Sequence, residues 1–352
     1  MPPIDHLRAA LQATFSGAQA EWPPLTDGDV SALVEQGVAP LVYARTHLPE
    51  LRASAIRAAA IEPLRLEDLR EVLGAIASRG VRPLLMKGTP LAYRLYEHPE
   101  LRPRVDTDVL VDAAAFPAVR EGLLALGFDE QTTSGDEHGV RQRMFRRIDR
   151  HGIEQTYDVH WKATNTPLAD EVLEYHEVEP VLVPAIGPHA WTLPDVEALL
   201  LACVHRVAHH QDDERLIWLV DIAMLRSRLT DAEKARFREL ASRRRVAALC
   251  ARSFEVADEW LGPAGWTVGP PARREPSRVL LKHDLTYGGL ILADMRALPW
   301  RARLTRLRQL AFPPAAFMHH SFPARRQRAL PWLYLVRGVR GLMRGFRRMG
   351  AR

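Results

Sequence analysis

The sequence predicts an α+β fold: a small mixed β-sheet core over residues 79–190, between an N-terminal helical region, 1–78, and a C-terminal helical region, 191–352, that ends in a basic amphipathic tail. Three observations carry this. Apolar residues recur three and four apart before residue 78 and again from Pro194 onward, the period of a helix with one buried face. Between those regions the apolar runs are of strand length and are bounded by glycine, proline or polar turns. The chain has 352 residues, 47% hydrophobic and 26% charged, an ordinary globular composition long enough for two or three cores.

In chain order, "HLRAALQATF", "VSALVEQGV" and "RASAIRAAAIEPLRLEDLREVLGAIASRG" read as helices, the last stopping at Gly80. "VRPLLM" (81–86) reads as a strand and Lys87-Gly88 as a turn. "TPLAYRLYEH" reads as a helix with Thr89 at its N-cap and Pro90 at the first helical position, the favoured order for a helix start. A strand over 104–111 follows, then the helix "AAFPAVREGLLALGF", for which Asp112 is a candidate N-cap. The extended segments 139–148 and 152–161, joined by a polar turn, read as a hairpin. "VEPVLVPAIGPHAWTLPD" reads as a connecting excursion before the C-terminal helices.

No early basic-then-apolar segment and no run of about 18 uncharged apolar residues occurs, so a cytoplasmic protein is expected. Cys203 and Cys250 lie in apolar helical surroundings, which suits small core residues rather than a disulfide or metal cluster. The net charge of +5 is unevenly spread, with many arginines in the last fifty positions, so it says little about the centre of the chain.

The stretch "RPRVDTDVLVD" (102–112) places two carboxylates one residue apart. Side chains alternate across a strand, so Asp106 and Asp108 project from one face, and Val105, Thr107, Val109 and Val111 from the core-facing one. Charges so placed repel unless something neutralises them, and a hard divalent cation, Mg²⁺ or Mn²⁺, takes oxygen ligands of this kind. The plain alternative is a solvated face paired to Arg102, Arg104 or another arginine. In "TYDVHW", Asp158 and His160 share one face, and a third carboxylate on an adjacent strand is what metal-assisted phosphoryl transfer requires. The Lys87-Gly88 turn supplies a complementary half. Gly88 permits close backbone approach, the N–H groups at the Thr89 helix start can receive phosphate oxygens, and Lys87 offers a point charge. Its plain alternative is an ordinary strand-to-helix turn with a surface lysine. Together the three features favour nucleotide chemistry.

These residues resemble the DNA polymerase β-like nucleotidyltransferase superfamily, whose signature is a glycine turn and helix, an Asp-x-Asp or Asp-x-Glu strand, and a third carboxylate on a later strand. The likeness is closer to one branch, the uncharacterised nucleotidyltransferase family with a Lys-Gly turn. "LLMKGTPLAYRLYEHPELRPRVDTDVLV", including Tyr96 and Arg102, resembles it, as do "YDVHW", "LEDLREVLGAIASRGVRPLLMKG" and "LIWLVDIAMLRS". The resemblance implies transfer of a nucleoside monophosphate from a metal-bound NTP, with ATP the expected nucleotide, to an acceptor with release of pyrophosphate. It implies Asp106 and Asp108 as ligands of Mg²⁺ or Mn²⁺, and Asp158 as a third ligand that helps activate the acceptor. Gly88 and Thr89 would lie under the phosphates, with Lys87, Arg102 and His160 beside the nucleotide. The interval from Gly88-Thr89 to Asp106 is longer than the wider superfamily's usual signature, though normal for this branch. The acceptor stays open among a small-molecule hydroxyl, a peptide, a protein side chain and an RNA end. A catalytically silent nucleotide- or partner-binding scaffold and an antitoxin-like transferase that modifies a partner protein are the competing readings.

His205 and His209, four apart on a helix, could share a zinc ion, but no glutamate sits between them as in a zinc peptidase, and no third ligand has useful spacing. A buried, hydrogen-bonded histidine is the plainer expectation, with His205 and Asp221 as candidates to border the nucleotide pocket. "PWLYLVRGVRGLMRGFRRMGAR" sets Arg337, Arg340, Arg344, Arg347 and Arg348 on one broad helical face. Docking on the chain's own helices is favoured for it, with weak contact to an anionic membrane or to nucleic-acid phosphates as alternatives.

Overall fold

The computed structural model describes residues 4–131, 141–271, 275–282, 285, 287–312, 315, 318 and 330–337. Residues 1–130 and 141–294 form one compact unit, and residues 131–140 and 295–352 a second.

The first unit opens with helices α1 (Arg8–Ser16), α2 (Asp27–Glu35), α3 (Ala39–Thr46) and α4 (Arg52–Ala77). Thr26 starts α2 with a reciprocal cap: its hydroxyl accepts from the Asp29 amide while the Asp29 carboxylate accepts from the Thr26 N–H. Next come β1 (Leu84–Met86), α5 (Gly88–Leu95), β2 (Thr107–Leu110), α6 (Phe116–Ala125), β3 (Asp129–Glu130), β4 (Gln142–Ile148) and β5 (Glu154–His160). The short strands β6 (Val181–Leu182) and β7 (Trp191–Thr192) lead into α7 (Asp195–His210), α8 (Leu216–Arg228), α9 (Asp231–Arg243) and α10 (Ala247–Leu261). Asp112 caps the turn into α6 by accepting from the Ala114 amide at 2.7 Å, as its position suggests.

The strands form one mixed sheet in the order β3-β4-β5-β2-β1-β7-β6, which bears out the α+β class. The central strand β2 runs antiparallel to β1 and parallel to β5, and its register sets Asp108 opposite both Met86 and Asp158. The expected hairpin is present as the antiparallel pair β4–β5. Two sequence expectations change. Pairing of β2 starts at Thr107 rather than 104, so Asp106 precedes the strand and Val105, expected in the core, is 72% exposed. Pro103 cannot donate to a ladder, and Arg104 is drawn away to Glu62, so extended pairing has no earlier start. The proline-rich excursion is not merely a connector: its β6 and β7 extend the sheet, with β7 parallel to β1. Both are two residues long, too short to show a period.

Each face of the sheet buries a different core. Leu85, Val109, Val111, Tyr157 and Val159 pack against α4 and α6 through Leu69, Val72, Val119 and Leu123. Leu84, Met86 and Leu110 face the other way, into a larger core built with α1, α3, α7, α8 and α10. Alternation thus puts Asp108, Asp158 and His160 on the side of α7 and α8. Cys203 and Cys250 are free thiols buried in that larger core, as expected. No helix among the described residues is long and apolar enough to cross a membrane.

In the second unit, α12 (Trp300–Ala311) follows α11 (Tyr287–Ala297), which runs into it from residue 287. Met318 and Leu333 are buried there beside Leu330, Tyr334 and Val336. Of the basic tail, residues 330–337 are described and helical, whereas Arg340, Arg344, Arg347 and Arg348 lie outside the described residues.

Asp68 on α4 ties the helix to the sheet, accepting from Tyr157 Oη at 2.7 Å and Arg147 Nη2 at 2.6 Å. Asp68→Ala would strand a buried phenol and weaken a partly buried guanidinium's ion pairing. A loss of about 3 kcal/mol in urea unfolding is expected, with Asp68→Asn losing less.

Candidate active site

After β1 the chain turns through Lys87 at φ 56°, ψ −131°, a conformation that residues other than glycine seldom adopt. The turn starts α5 at Gly88 and returns the lysine side chain to β2, where Nζ donates to Asp108 Oδ1 at 2.6 Å. His160 Nε2 lies 2.8 Å from the same oxygen. Burial alone would push the Asp108 carboxyl up, but the Lys87 ammonium and His160 hold it well below the usual range. The alternative reading of Lys87 as a surface lysine is corrected: its ammonium is largely buried and pairs with a buried carboxylate that needs a counter-charge.

Thr89 is not the helix cap. Lys87 occupies that position without a side-chain capping bond, and Thr89 is 1% exposed with Oγ1 donating to Thr107 Oγ1 at 3.3 Å. Only its backbone belongs to the turn. At Gly88 a Cβ would lie 2.3 Å from Arg102 Nη1 and 2.8 Å from its Cζ, so the glycine admits a guanidinium over the start of α5. Arg102 is fixed there by Asp221 of α8, which accepts from Nη2 at 2.6 Å and from Nε at 3.1 Å, while Tyr96 Oη donates to Asp221 at 2.8 Å. Arg104 reaches Glu62 at 2.5 Å. Neither arginine forms an ion pair with Asp106 or Asp108, and Asp108 is met by Lys87 instead.

Asp158 Oδ2 accepts from Gln142 Nε2 at 3.1 Å, and its Oδ1 is buried without a hydrogen-bond partner. Burial, then the charges of Asp108 and Asp106, raise the Asp158 carboxyl to about 7. Asp106 is exposed on its own surface, yet it stands in the concavity of the cleft, where crowding by the protein and the Asp108 charge raise it too. One ligand atom each from Asp108, Asp158 and His160 lie within 4.8 Å of one another. Asp106 lines the same cleft outside that group. Hard carboxylate oxygens, one of them buried and unbonded, together with an imidazole, suit a divalent cation.

The cleft holds about 350 Å³, within the range of small-ligand sites. Its far wall comes from α7 and α8. The His205 ring lies 4.7 Å from those of His209 and His210, and His210 lies 4.1 Å from Trp218. Burial, then the Lys87 charge, depress all three histidines, His209 to about 3, so this wall is neutral at physiological pH. The His205–His209 pair, the less favoured zinc candidate, gains no third ligand: the group with ligand geometry among the described residues is the Asp108 one. His209 instead accepts from the Asn165 amide at 2.9 Å, Asn165 Nδ2 donates to Gln142 Oε1 at 2.9 Å, and Gln142 holds Asp158. Gln142 and Asn165 were not legible as site residues. The one available signal was hairpin register, which sets Gln142 opposite His160.

A family model described as an uncharacterised nucleotidyltransferase matches residues 30–262, about two thirds of the chain and all of the cleft. None of the curated proteins compared with the chain matches it.

Gly88→Ala is expected to push Arg102 off Asp221 and to cost about 2 kcal/mol, whereas Asp221→Ala, which leaves the buried guanidinium unpaired, costs about 3–5 kcal/mol. Chemical denaturation reads both. A pH effect also follows from Asp158. Between its ordinary 3.8 and about 7 the unfolded chain has lost the proton that the folded chain keeps. The Asp158 contribution to stability therefore falls as pH rises through that window and levels off above it. Metal-free Asp158→Asn, compared with the parent by melting at pH 5 and pH 8, should gain stability relative to it at the higher pH.

Proposed function

The chain belongs to the uncharacterised nucleotidyltransferase family, and from that premise we propose that it transfers a nucleoside monophosphate from a nucleoside triphosphate, in the first instance ATP, to a nucleophilic acceptor. The observation that carries this reading is the convergence of Asp108, Asp158 and His160 within 4.8 Å, beside the helix start at Gly88. Asp106, Asp108 and Asp158 would hold Mg²⁺ or Mn²⁺. Such a cation, when bound, neutralises the carboxylates and draws charge from the phosphate oxygens. The acceptor oxygen forms its bond to the α-phosphorus as the bond to the leaving pyrophosphate breaks. Asp158, on the strand beside Asp108, would also help to activate the acceptor oxygen. The amide groups at the start of α5 and the Arg102 guanidinium beside them face the phosphates. His160 orients the Asp108 carboxylate. The acceptor class, whether a small hydroxyl compound, a peptide, a protein or an RNA end, is left to experiment.

One observation favours a second reading, a nucleotide-binding protein that transfers nothing: the Lys87–Asp108 pair balances the most buried of the three aspartates without a metal ion. Incubation with labelled NTPs and a cell extract separates the two. The parent should label an acceptor, and Asp106→Asn and Asp108→Asn should lose both labelling and Mg²⁺-dependent NTP binding. Asp158→Asn should bind NTP but transfer it at least about a hundredfold more slowly. Because a proton competes with the cation at Asp158, Mg²⁺-dependent binding should be tighter at pH 8 than at pH 6. Metal-dependent binding without any labelled product would establish the silent binder, and label on a polypeptide would identify a partner-modifying enzyme. NTP binding by Asp108→Asn equal to the parent's would remove the metal assignment.

A further inference from the structure

The charged side chains that line the cleft pair off within the protein, with three exceptions among the described residues. Lys87 is bonded to Asp108, Arg102 to Asp221 and Arg104 to Glu62. Asp106 and Asp158 have no cation within 4.0 Å, and Arg215 has no carboxylate within that distance. Arg215 stands at the N-cap of α8, where the connection from α7 ends. Its Nε is buried without a hydrogen-bond partner, and its Cζ lies 5.3 Å from the centre of the Trp218 ring. By contrast, three other arginines of this unit each have a carboxylate partner, Arg206 in Asp212, Arg226 in Asp258 and Arg147 in Asp68. Burying part of a guanidinium without a partner is costly unless a ligand completes it. Arg215 also has a cationic neighbour: burial and then the charge of Arg102 lower its pKa, opposed in part by Asp213 and Asp106, which lie beyond ion-pair distance. Arg102 itself is held through Nε and Nη2, with Nη1 left beside Gly88.

Two unmatched carboxylates and one unmatched guanidinium complement a ligand that brings both a divalent cation and a phosphate. We propose that Arg215 is an anion-binding residue of the cleft that takes a phosphate group, with Arg102 as its neighbour and Trp218 fixing the plane of its fork. The site stands on this pairing pattern, and it rests on the nucleotidyltransferase reading only for the ligand's source, which is either the triphosphate tail of the nucleotide or a phosphate carried by the acceptor. A planar fork with parallel donors suits a phosphate better than an ammonium does, so lysine should replace it only in part.

The test uses the full-length protein and two variants, Arg215→Met, which keeps an unbranched stem against Trp218, and Arg215→Lys, which keeps the charge. Calorimetric titrations with magnesium tripolyphosphate and magnesium ATP should show Arg215→Met weaker by roughly tenfold to a hundredfold. Arg215→Lys should recover part of the loss, and all three proteins should melt within about 3 °C of one another. Unchanged affinity for both probes, but loss of inorganic phosphate binding to protein preloaded with a non-hydrolysable ATP analogue, would place the group on the acceptor and still support the site. Equal binding of all probes by parent and Arg215→Met, or no binding of any phosphate probe by the parent, overturns it. Arg215-dependent binding in a protein that labels no acceptor would sink the transferase reading and leave this one standing.

Discussion

Asp108 lies on the central strand with its side chain 8% exposed, and a charge at that depth must be met before the sheet can close around it. Lys87 and His160 meet it, and the rest of the site follows from how they are brought there. The lysine reaches back to β2 only because its backbone takes a positive φ at the end of β1. That turn starts α5 at once, and the absence of a side chain at Gly88 lets Arg102 lie over the helix start. Arg102 in turn needs Asp221, which brings α8 against the sheet and closes one wall of the cleft. A single buried carboxylate thus accounts for an unusual turn, an obligate glycine and the docking of a helix 119 positions away in sequence from its arginine partner.

The electrostatics of the cleft divide along the same lines. The carboxylate floor carries opposite perturbations on adjacent strands: Asp108 is held ionised by its partners, while Asp158, facing it in register, is held toward its neutral form by burial and by that same charge. Neighbouring acids pushed apart in this way can take different roles in one reaction. The histidine wall adds no charge, because burial and the Lys87 ammonium suppress its protonation. It contributes shape and aromatic surface, and through Asn165 and Gln142 it fixes the orientation of Asp158.

Alternation along the strands was enough to place Asp108, Asp158 and His160 on one side of the sheet and Val109, Tyr157 and Val159 on the other, because periodicity is a local property of the chain. Counter-charges are not local. Which base would meet Asp108 depended on a positive φ at a lysine, which no residue type announces. The Arg102–Asp221 and Arg104–Glu62 pairs span 119 and 42 positions. Thr89 looked like a cap because threonine before proline usually is one, and the tertiary bond to Thr107 took its hydroxyl instead. Val105 continued the apolar alternation on paper, but hydrogen-bonded pairing, which begins at Thr107, decides where a strand starts.

The division of the sheet between two cores has a consequence for fidelity of assembly. A strand that slipped by one residue would turn Asp108 toward Leu69 and Val72 and expose Val109 to the cleft, so both cores would reject the error at once. A slip by two would keep every side chain on its proper face, and hydrophobicity could not detect it. Between β4 and β5 that second error is opposed at the hairpin, where Asp149 accepts from the amides of His151 and Ile153 and from Gln155 Nε2, locking the turn that sets the two strands together. Proofreading of the sheet's register is therefore shared, the oily layers screening odd displacements and, between β4 and β5, one polar turn screening even ones.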